Sequence, residues 1–378
     1  QSTAAATLDI IGGTGKYFNN MGVPGAKSYH LVASGYGSAV NLSLGKANPY
    51  FVRFATSATT SVLADAMAQK PSFYTLWIGN NDVLSYATSG GLGVDQKGNL
   101  DPSTYGSNDI TDPNVVASVI KNVILGLKSA NANSKGAIAN IPYVTSIPYF
   151  TAVPYNPVPL SSASASTLNT SFSAINAKLK SVGMAERFST LTASTSNPVL
   201  IIDKSLTDIS AYLPAQYAIY GQARHATAND LILLPASSVI GIDPTTGLPP
   251  TSTSTKINGV TIPLADQLVL TEKEAAKVIA ATDAYNASIS SLATANGLAL
   301  VDANAKMKEL GTTSGIQYNG VKYTASFVTG GAFSLDGVHP NGRGYALIAN
   351  TFIDAINKTY GSTLPWVDIN AYSGVKFP

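Results

Sequence analysis

The 378-residue chain contains no cysteine, which excludes disulfides, thiol nucleophiles and thiolate metal sites. Histidine is nearly as scarce, with only His30, His225 and His339, so imidazole chemistry has few places to reside. Charge is thin as well: Asp, Glu, Lys and Arg make up 12% of the residues, against about 25% in ordinary soluble domains. The 23 basic and 21 acidic side chains nearly cancel, leaving +2. They form no basic run or stripe, which argues against nucleic acid as a partner. No apolar stretch approaches the roughly 20 residues needed to span a bilayer. What remains in abundance is Gly, Ser, Thr, Asn and Ala, a balance that suits a secreted or envelope protein better than a cytosolic one. The start, Gln1-Ser-Thr-Ala, has neither a signal peptide nor a lipidation cysteine and reads as entering a fold already under way. Upstream sequence is therefore expected.

The length accommodates one large α/β domain or two smaller ones. Ser61 to Lys70 is alanine-rich and reads as a short helix ended by Pro71. The apolar run Ser72–Ile78 has strand length and suits a central parallel strand covered on both faces. Residues 86–112 are rich in Gly, Ser and Asn and read as a long surface loop. Asp112-Pro113 then supplies an N-cap and a first-turn proline, and Val116, Val119, Ile120, Val123 and Leu127 form the apolar stripe of the helix that follows. Gly136–Ile141 is a strand. The prolines of residues 142–160 rule out a regular element. Leu168, Phe172, Ile175 and Leu179 mark another helix, and Val199–Ile202 another buried strand. Pro244 to Thr255 reads as an exposed loop. Thr271-Glu-Lys-Glu274 is a capping box opening a helix with Val278, Ala281, Tyr285, Ile289 and Leu292 on one face, stopped by Asn296-Gly297. Leu298–Val301 is a further strand, and Tyr345, Ile348, Phe352 and Ile356 give a last core-facing helix. Alternating strands and helices without repeats predict an α/β domain around a parallel sheet.

Three stretches carry candidate chemistry. Near the end, Asp336-Gly-Val-His339-Pro340 sets a carboxylate three residues before an imidazole. The acid can accept Nδ1–H and leave Nε2 to take a proton from a hydroxyl, although Asp-Gly and His-Pro are also ordinary turn chemistry. Gly79-Asn80-Asn81-Asp82 follows the Ser72–Ile78 strand, where open α/β sheets place their ligands. Asn81 there can aim an amide N–H at a developing oxyanion, or simply make the turn that leaves the strand. Asn20-Met-Gly22-Val-Pro-Gly25 precedes a helix-compatible segment, and its glycines permit close backbone approach to an anion. His30 and His225 read as structural. Tyr143, Tyr149, Phe150 and Tyr155, in the proline-rich loop, either wall the mouth of a site as an acyl-binding surface or pack against the body of the domain.

Taken in order, these blocks resemble the SGNH (GDSL-type) hydrolase superfamily. Asn20 to Gly25 is similar to its second block, Gly79 to Asp82 to its Gly-x-Asn-Asp block, and Asp336 to Pro340 to its Asp-x-x-His-Pro block. Phe18 to about Gly361 looks like one branch, the large SGNH lipoproteins of Gram-negative cell envelopes. The resemblance implies a three-layer α/β/α sandwich with a flavodoxin-like central parallel sheet. It implies catalytic roles for Asp336 and His339 and an oxyanion hole from the Gly25 N–H and Asn81. The family's first block, Gly-Asp-Ser-Leu with the nucleophile, is absent from residues 1–378; Ile10-Ile-Gly-Gly-Thr14-Gly is a poor match, and Ser28 belongs to the second block.

The expectation is thus a single SGNH-like domain over 1–378 that lacks its first strand and nucleophile, with loop insertions at 86–112, 142–160 and 235–266. It would hydrolyse acyl esters with a serine supplied from upstream, with no metal or organic cofactor. A lipid anchor upstream, rather than a transmembrane helix, would hold it at the outer membrane. Two alternatives stand beside this: a non-catalytic lipid-binding or scaffolding subunit beside an outer-membrane barrel, and a carbohydrate deacetylase using the same chemistry.

Overall fold

The computed structural model describes residues 18–251 and 253–375. Strand β1 (Phe73–Leu76) follows helix α1 (Val62–Ala68), which is capped by the Ser61 hydroxyl. Helix α2 (Asn81–Thr88) starts three residues beyond Ile78. Helix α3 (Pro113–Ala130) opens where Asp112 Oδ1 accepts from the N–H groups of Asn114 and Val115, at 2.7 and 3.3 Å. Strand β2 (Lys135–Ala139) and helix α4 (Ser162–Ser181) come next. Strands β3 (Leu200–Ile202) and β4 (Ala223–His225) precede helix α5 (Glu272–Asn296), strand β5 (Ala299–Val301) and helix α6 (Gly342–Tyr360).

The chain is a mixed α/β structure built around a parallel sheet in the order β1-β2-β5. Register runs from Phe73 opposite Lys135 to Leu76 opposite Ile138, then from Ala137 opposite Ala299 to Ala139 opposite Val301. Because side chains alternate along a strand, β2 serves two packed clusters. Ile138 joins the α3 and α5 stripes (Val116, Ile120, Val278, Tyr285, Ile289), while Ala137 and Ala139 meet Trp77, Phe352 and Ile356. The α3 stripe is buried throughout, as its periodicity predicts. The α5 capping box forms, with Thr271 N–H donating to Glu274 Oε2 at 2.8 Å, and Gly297 ends the helix at φ +61°.

Several expectations are corrected. The Ser72–Ile78 run predicts a central strand covered on both faces, yet among the described residues β1 is the edge of the sheet and its Phe73 and Thr75 are exposed. The Val199–Ile202 strand stands outside the parallel sheet, because β3 pairs antiparallel with β4. The 86–112 loop begins inside α2 and ends buried. The Asp109 carboxylate gathers the N–H groups of Val94 and Gly106, and Asp112 Oδ2 accepts from Gly98. Residues 142–160 hold a helical turn (Pro148–Thr151) that opens on its proline and a short strand (Val158–Leu160) that carries Pro159 within a two-stranded pair, where both strands are edges. Tyr345 is 52% exposed; Ala346, Leu347 and Asn350 take the inward face of α6 instead. Pro244–Pro250 is exposed as expected, while Ser252 lies outside the described residues, as does Ile10–Gly15. No helix among the described residues is long and apolar enough to cross a membrane.

Candidate active site

The turn carrying Asp336 and His339 is held at both ends. Ser334 N–H donates to the His339 carbonyl at 2.8 Å, and Asn341 N–H to the Ala332 carbonyl at 3.0 Å. Asn341 then caps α6, its Oδ1 accepting from the N–H groups of Arg343 and Gly344 at 3.0 and 3.1 Å, so the turn is fastened to a rigid helix. Inside it, Asp336 Oδ2 lies 2.7 Å from His339 Nδ1. A carboxylate can only accept, so Nδ1 carries a proton, and in the neutral ring Nε2 is the nitrogen with the free lone pair. Asp336 Oδ1 accepts from the Ser334 hydroxyl at 2.5 Å and from the N–H groups of Val338 and His339 at 2.9 and 3.0 Å. Partial burial pushes this carboxyl up, but those donors together with the His339 ring outweigh it and hold it well below the usual carboxylate range.

The two other blocks are clamped to each other. Asn81 Nδ2 donates to the Ala26 carbonyl at 3.0 Å. Its neighbour Asp82, wholly buried, accepts from Ser28 N–H and from the Ser28 hydroxyl, both at 2.8 Å. One turn of α2 thereby fixes the backbone on both sides of Lys27, next to Gly25, which sits at φ +75°, where glycine pays no Cβ penalty. Burial raises the Asp82 pKa, opposed by hydrogen bonds from Ser28 and by the charge of Lys27. Lys27 is itself buried, with Nζ 2.6 Å from the Asp109 carbonyl, and burial lowers its pKa against the pull of Asp82 and Asp109. The role of Asp82 is missed by reading the block for its asparagine alone; the signal was its place as the acid ending Gly-x-Asn-Asp.

Gly25, Asn81 and His339 all line one cavity of about 370 Å³. Trp77, Pro142 and Val301 also line it, each at or just past the C-terminal end of a parallel strand. That is the ligand end of open α/β sheets. Most of its remaining wall is apolar, including Leu84, Ile147, Met307 and Leu347, and no serine among the described residues lines it. Ser28, whose hydroxyl is committed to Asp82, is likewise elsewhere.

The proposed acyl-binding aromatics are not in this wall. Phe150 is buried in the main core, and Tyr155 packs on the cluster around Val158 and Ile232. The Tyr143 hydroxyl donates to Asp283. Tyr149 contributes its backbone instead, its N–H donating to the Gly337 carbonyl at 2.9 Å and so bracing the Asp336 turn. Their loop reaches the cavity through Pro142, Val144 and Ile147, because the turns at its prolines send the aromatics to other faces. His30 and His225 are structural, as expected. His30 Nδ1 accepts from Lys27 N–H at 3.0 Å and its ring stacks on Tyr36; His225 Nδ1 accepts from Ser189 N–H at 3.0 Å.

No protein-family model matches the chain, and no curated protein or solved structure does either. The likeness to SGNH hydrolases therefore rests on the three sequence blocks alone.

Proposed function

We propose that this chain carries the base, the orienting acid and the oxyanion donors of an SGNH-type serine ester hydrolase, on a flavodoxin-like three-layer α/β/α body. The nucleophilic serine comes from sequence outside residues 1–378. The observation that carries this reading is the shared cavity: residues from three blocks far apart in sequence, Gly25, Asn81 and His339, line one pocket at the ligand end of the sheet. In the proposed reaction His339 Nε2 takes the serine proton as the hydroxyl oxygen attacks the ester carbonyl. Asp336 holds the imidazole orientation and stabilises the imidazolium. The tetrahedral oxyanion accepts hydrogen bonds from Gly25 N–H and Asn81. Collapse expels the alcohol, which takes the proton back from His339; water then repeats the sequence and releases the acid. An acyl chain fits the apolar lining better than a sugar does. The proposed setting is the bacterial cell envelope, with a lipid anchor upstream.

Labelling native material with a fluorophosphonate, followed by peptide mapping, tests the assignment. An adduct on a serine outside residues 1–378 supports it, and an adduct on a serine within them overturns the block assignment. A second reading, a non-catalytic lipid-binding or scaffolding subunit of an outer-membrane complex, is favoured by one observation: the cavity is largely apolar and no serine among the described residues lines it. Absence of any adduct, with the upstream segment present, would select it.

A further inference from the structure

The candidate active-site cavity is not apolar all round. Among the described residues that line it, Lys306 is the only Asp, Glu, Lys or Arg. It stands on the short helix Ala303–Leu310, which starts two residues past β5. Ala303, Met307 and Leu310 recur there at helical spacing and give the helix its apolar cavity face. Lys306 flanks that face. The neighbouring lysine does not: Lys308 is outside the lining, and its ammonium lies 4.9 Å from the centre of the Tyr143 ring.

Nothing in the packing of this helix requires a cation at position 306. The Lys306 ammonium pairs with Glu309 Oε2 at 2.7 Å within the same helix, and the two side chains are 35% and 50% exposed. An exposed pair of this kind holds little, and it takes only one of the three ammonium donors. The opening N–H groups of the helix are already committed. Asn304 N–H donates to Asn140 Oδ1 at 2.8 Å, and Ala305 N–H to Asp302 Oδ1 at 2.9 Å. Lys306 is thus the fixed positive charge of this wall.

That charge decides which occupant suits the cavity. A neutral chain would strip water from the ammonium and give nothing back, whereas an anionic head group replaces the lost hydration with charge-assisted hydrogen bonds. The volume is about 370 Å³, toward the lower end of the roughly 300–1,000 Å³ of small-molecule pockets. That suits one hydrocarbon chain and not two.

We propose that the cavity selects single-chain amphiphiles with an anionic head, the head held by Lys306 and the chain laid along Met307, Leu310 and the rest of the apolar wall. The binding rests on the cavity alone. That the bound molecule is a substrate, an acyl ester bearing a negative charge, rests on the proposed hydrolase reading.

The test titrates the 378-residue chain with dodecyl phosphate, dodecanoate, dodecanol and dodecyltrimethylammonium, each below its micelle concentration. Trp77 lines the cavity and Trp366, the second of the two tryptophans, does not, so indole emission in a Trp366→Phe background reports occupancy. Both anions should bind about tenfold or more tighter than dodecanol, and the cation more weakly than dodecanol. Lys306→Gln should bring the anions down to the level of dodecanol while dodecanol itself binds as before, which also shows that the variant is folded. Lys306→Met, which keeps an unbranched apolar stem, repeats the measurement should the glutamine variant misfold. Lys306→Arg and Lys308→Gln should keep the preference. Equal binding of anions and alcohol, a preference that survives Lys306→Gln or vanishes in Lys308→Gln, or no binding at all, overturns the proposal. Dodecyl phosphate as the tighter anion assigns the site to phosphate esters, and dodecanoate as the tighter assigns it to fatty acids. Fluorophosphonate labelling of native material judges the hydrolase reading separately: an anion preference without an adduct keeps the site and rejects the enzyme, and an adduct without a preference does the reverse.

Discussion

Asp336 does two jobs with two oxygens. Oδ2 orients the imidazole, and Oδ1 collects three donors of its own turn. Asp336→Asn preserves the shape but can offer an N–H toward His339 Nδ1 and so favour the wrong tautomer. In serine hydrolases built this way that change costs about 10⁴ in kcat. On the proposed hydrolase reading, ester hydrolysis by the full protein should fall by that order, with its thermal midpoint moved far less. Asn81→Ala should lower kcat by about 10²–10³, the usual effect of removing one oxyanion donor. Unchanged hydrolysis would remove Asn81 from the site. Asp82→Ala acts differently, since it leaves the buried Ser28 N–H and hydroxyl without their acceptor. A buried donor left unsatisfied costs about 1–3 kcal/mol, so a lower denaturant midpoint is expected even where catalysis is not assayed.

At the scale of elements, α6 connects stability to the site through one cap. Asn341→Ala removes the acceptor for Arg343 and Gly344, and such losses average about 1 kcal/mol. The same variant also frees the carbonyls of Gly331 and Phe333, which accept from Asn341 Nδ2 at 3.1 Å each. The expected result is a lower melting temperature together with weaker hydrolysis, because His339 stands two residues before the cap. Gly337 is a second joint: at φ +71°, a Cβ there would lie 3.0 Å from the Tyr149 backbone nitrogen. Gly337→Ala should therefore destabilise by about 1–3 kcal/mol, read as a shifted unfolding midpoint.

For the whole molecule, two imbedded imidazoles set an acid limit. Burial lowers His30 to about 4, with Lys27 adding to the effect, and burial lowers His225 to about 4. Unfolded, each would titrate near 6.5. Between those values the unfolded chain binds more protons, so stability is intact above about pH 6.5 and falls as pH drops toward 4. The slope reaches about 1.4 kcal/mol per pH unit for each histidine at most. Denaturant midpoints measured from pH 7 to pH 4 should fall through that window, and a flat profile down to pH 4.5 would contradict neutral burial of both rings.

Periodicity and caps were enough to place α3, α5 and α6 and the strands around Ile138 and Leu300, because a helix face or a capping box is written in neighbouring residues. The spacing of Asp336 and His339 likewise foretold their hydrogen bond, since three residues of turn leave few other geometries. What neighbours in sequence could not decide was the company each element keeps. The run Phe73–Ile78 reads as central and stands at an edge; β3 reads as one more sheet strand and pairs antiparallel with β4; the aromatics of residues 142–160 face away from the cavity their loop borders. Strand order and the direction in which a loop side chain points depend on long-range packing, and only the tertiary structure fixes them. The meeting of Gly25, Asn81 and His339 at one cavity is of the same kind: the residue types were legible in the chain, but Asn81 arrives just past β1, Gly25 on a loop before it and His339 on the turn fastened to α6, and only packing brings them together.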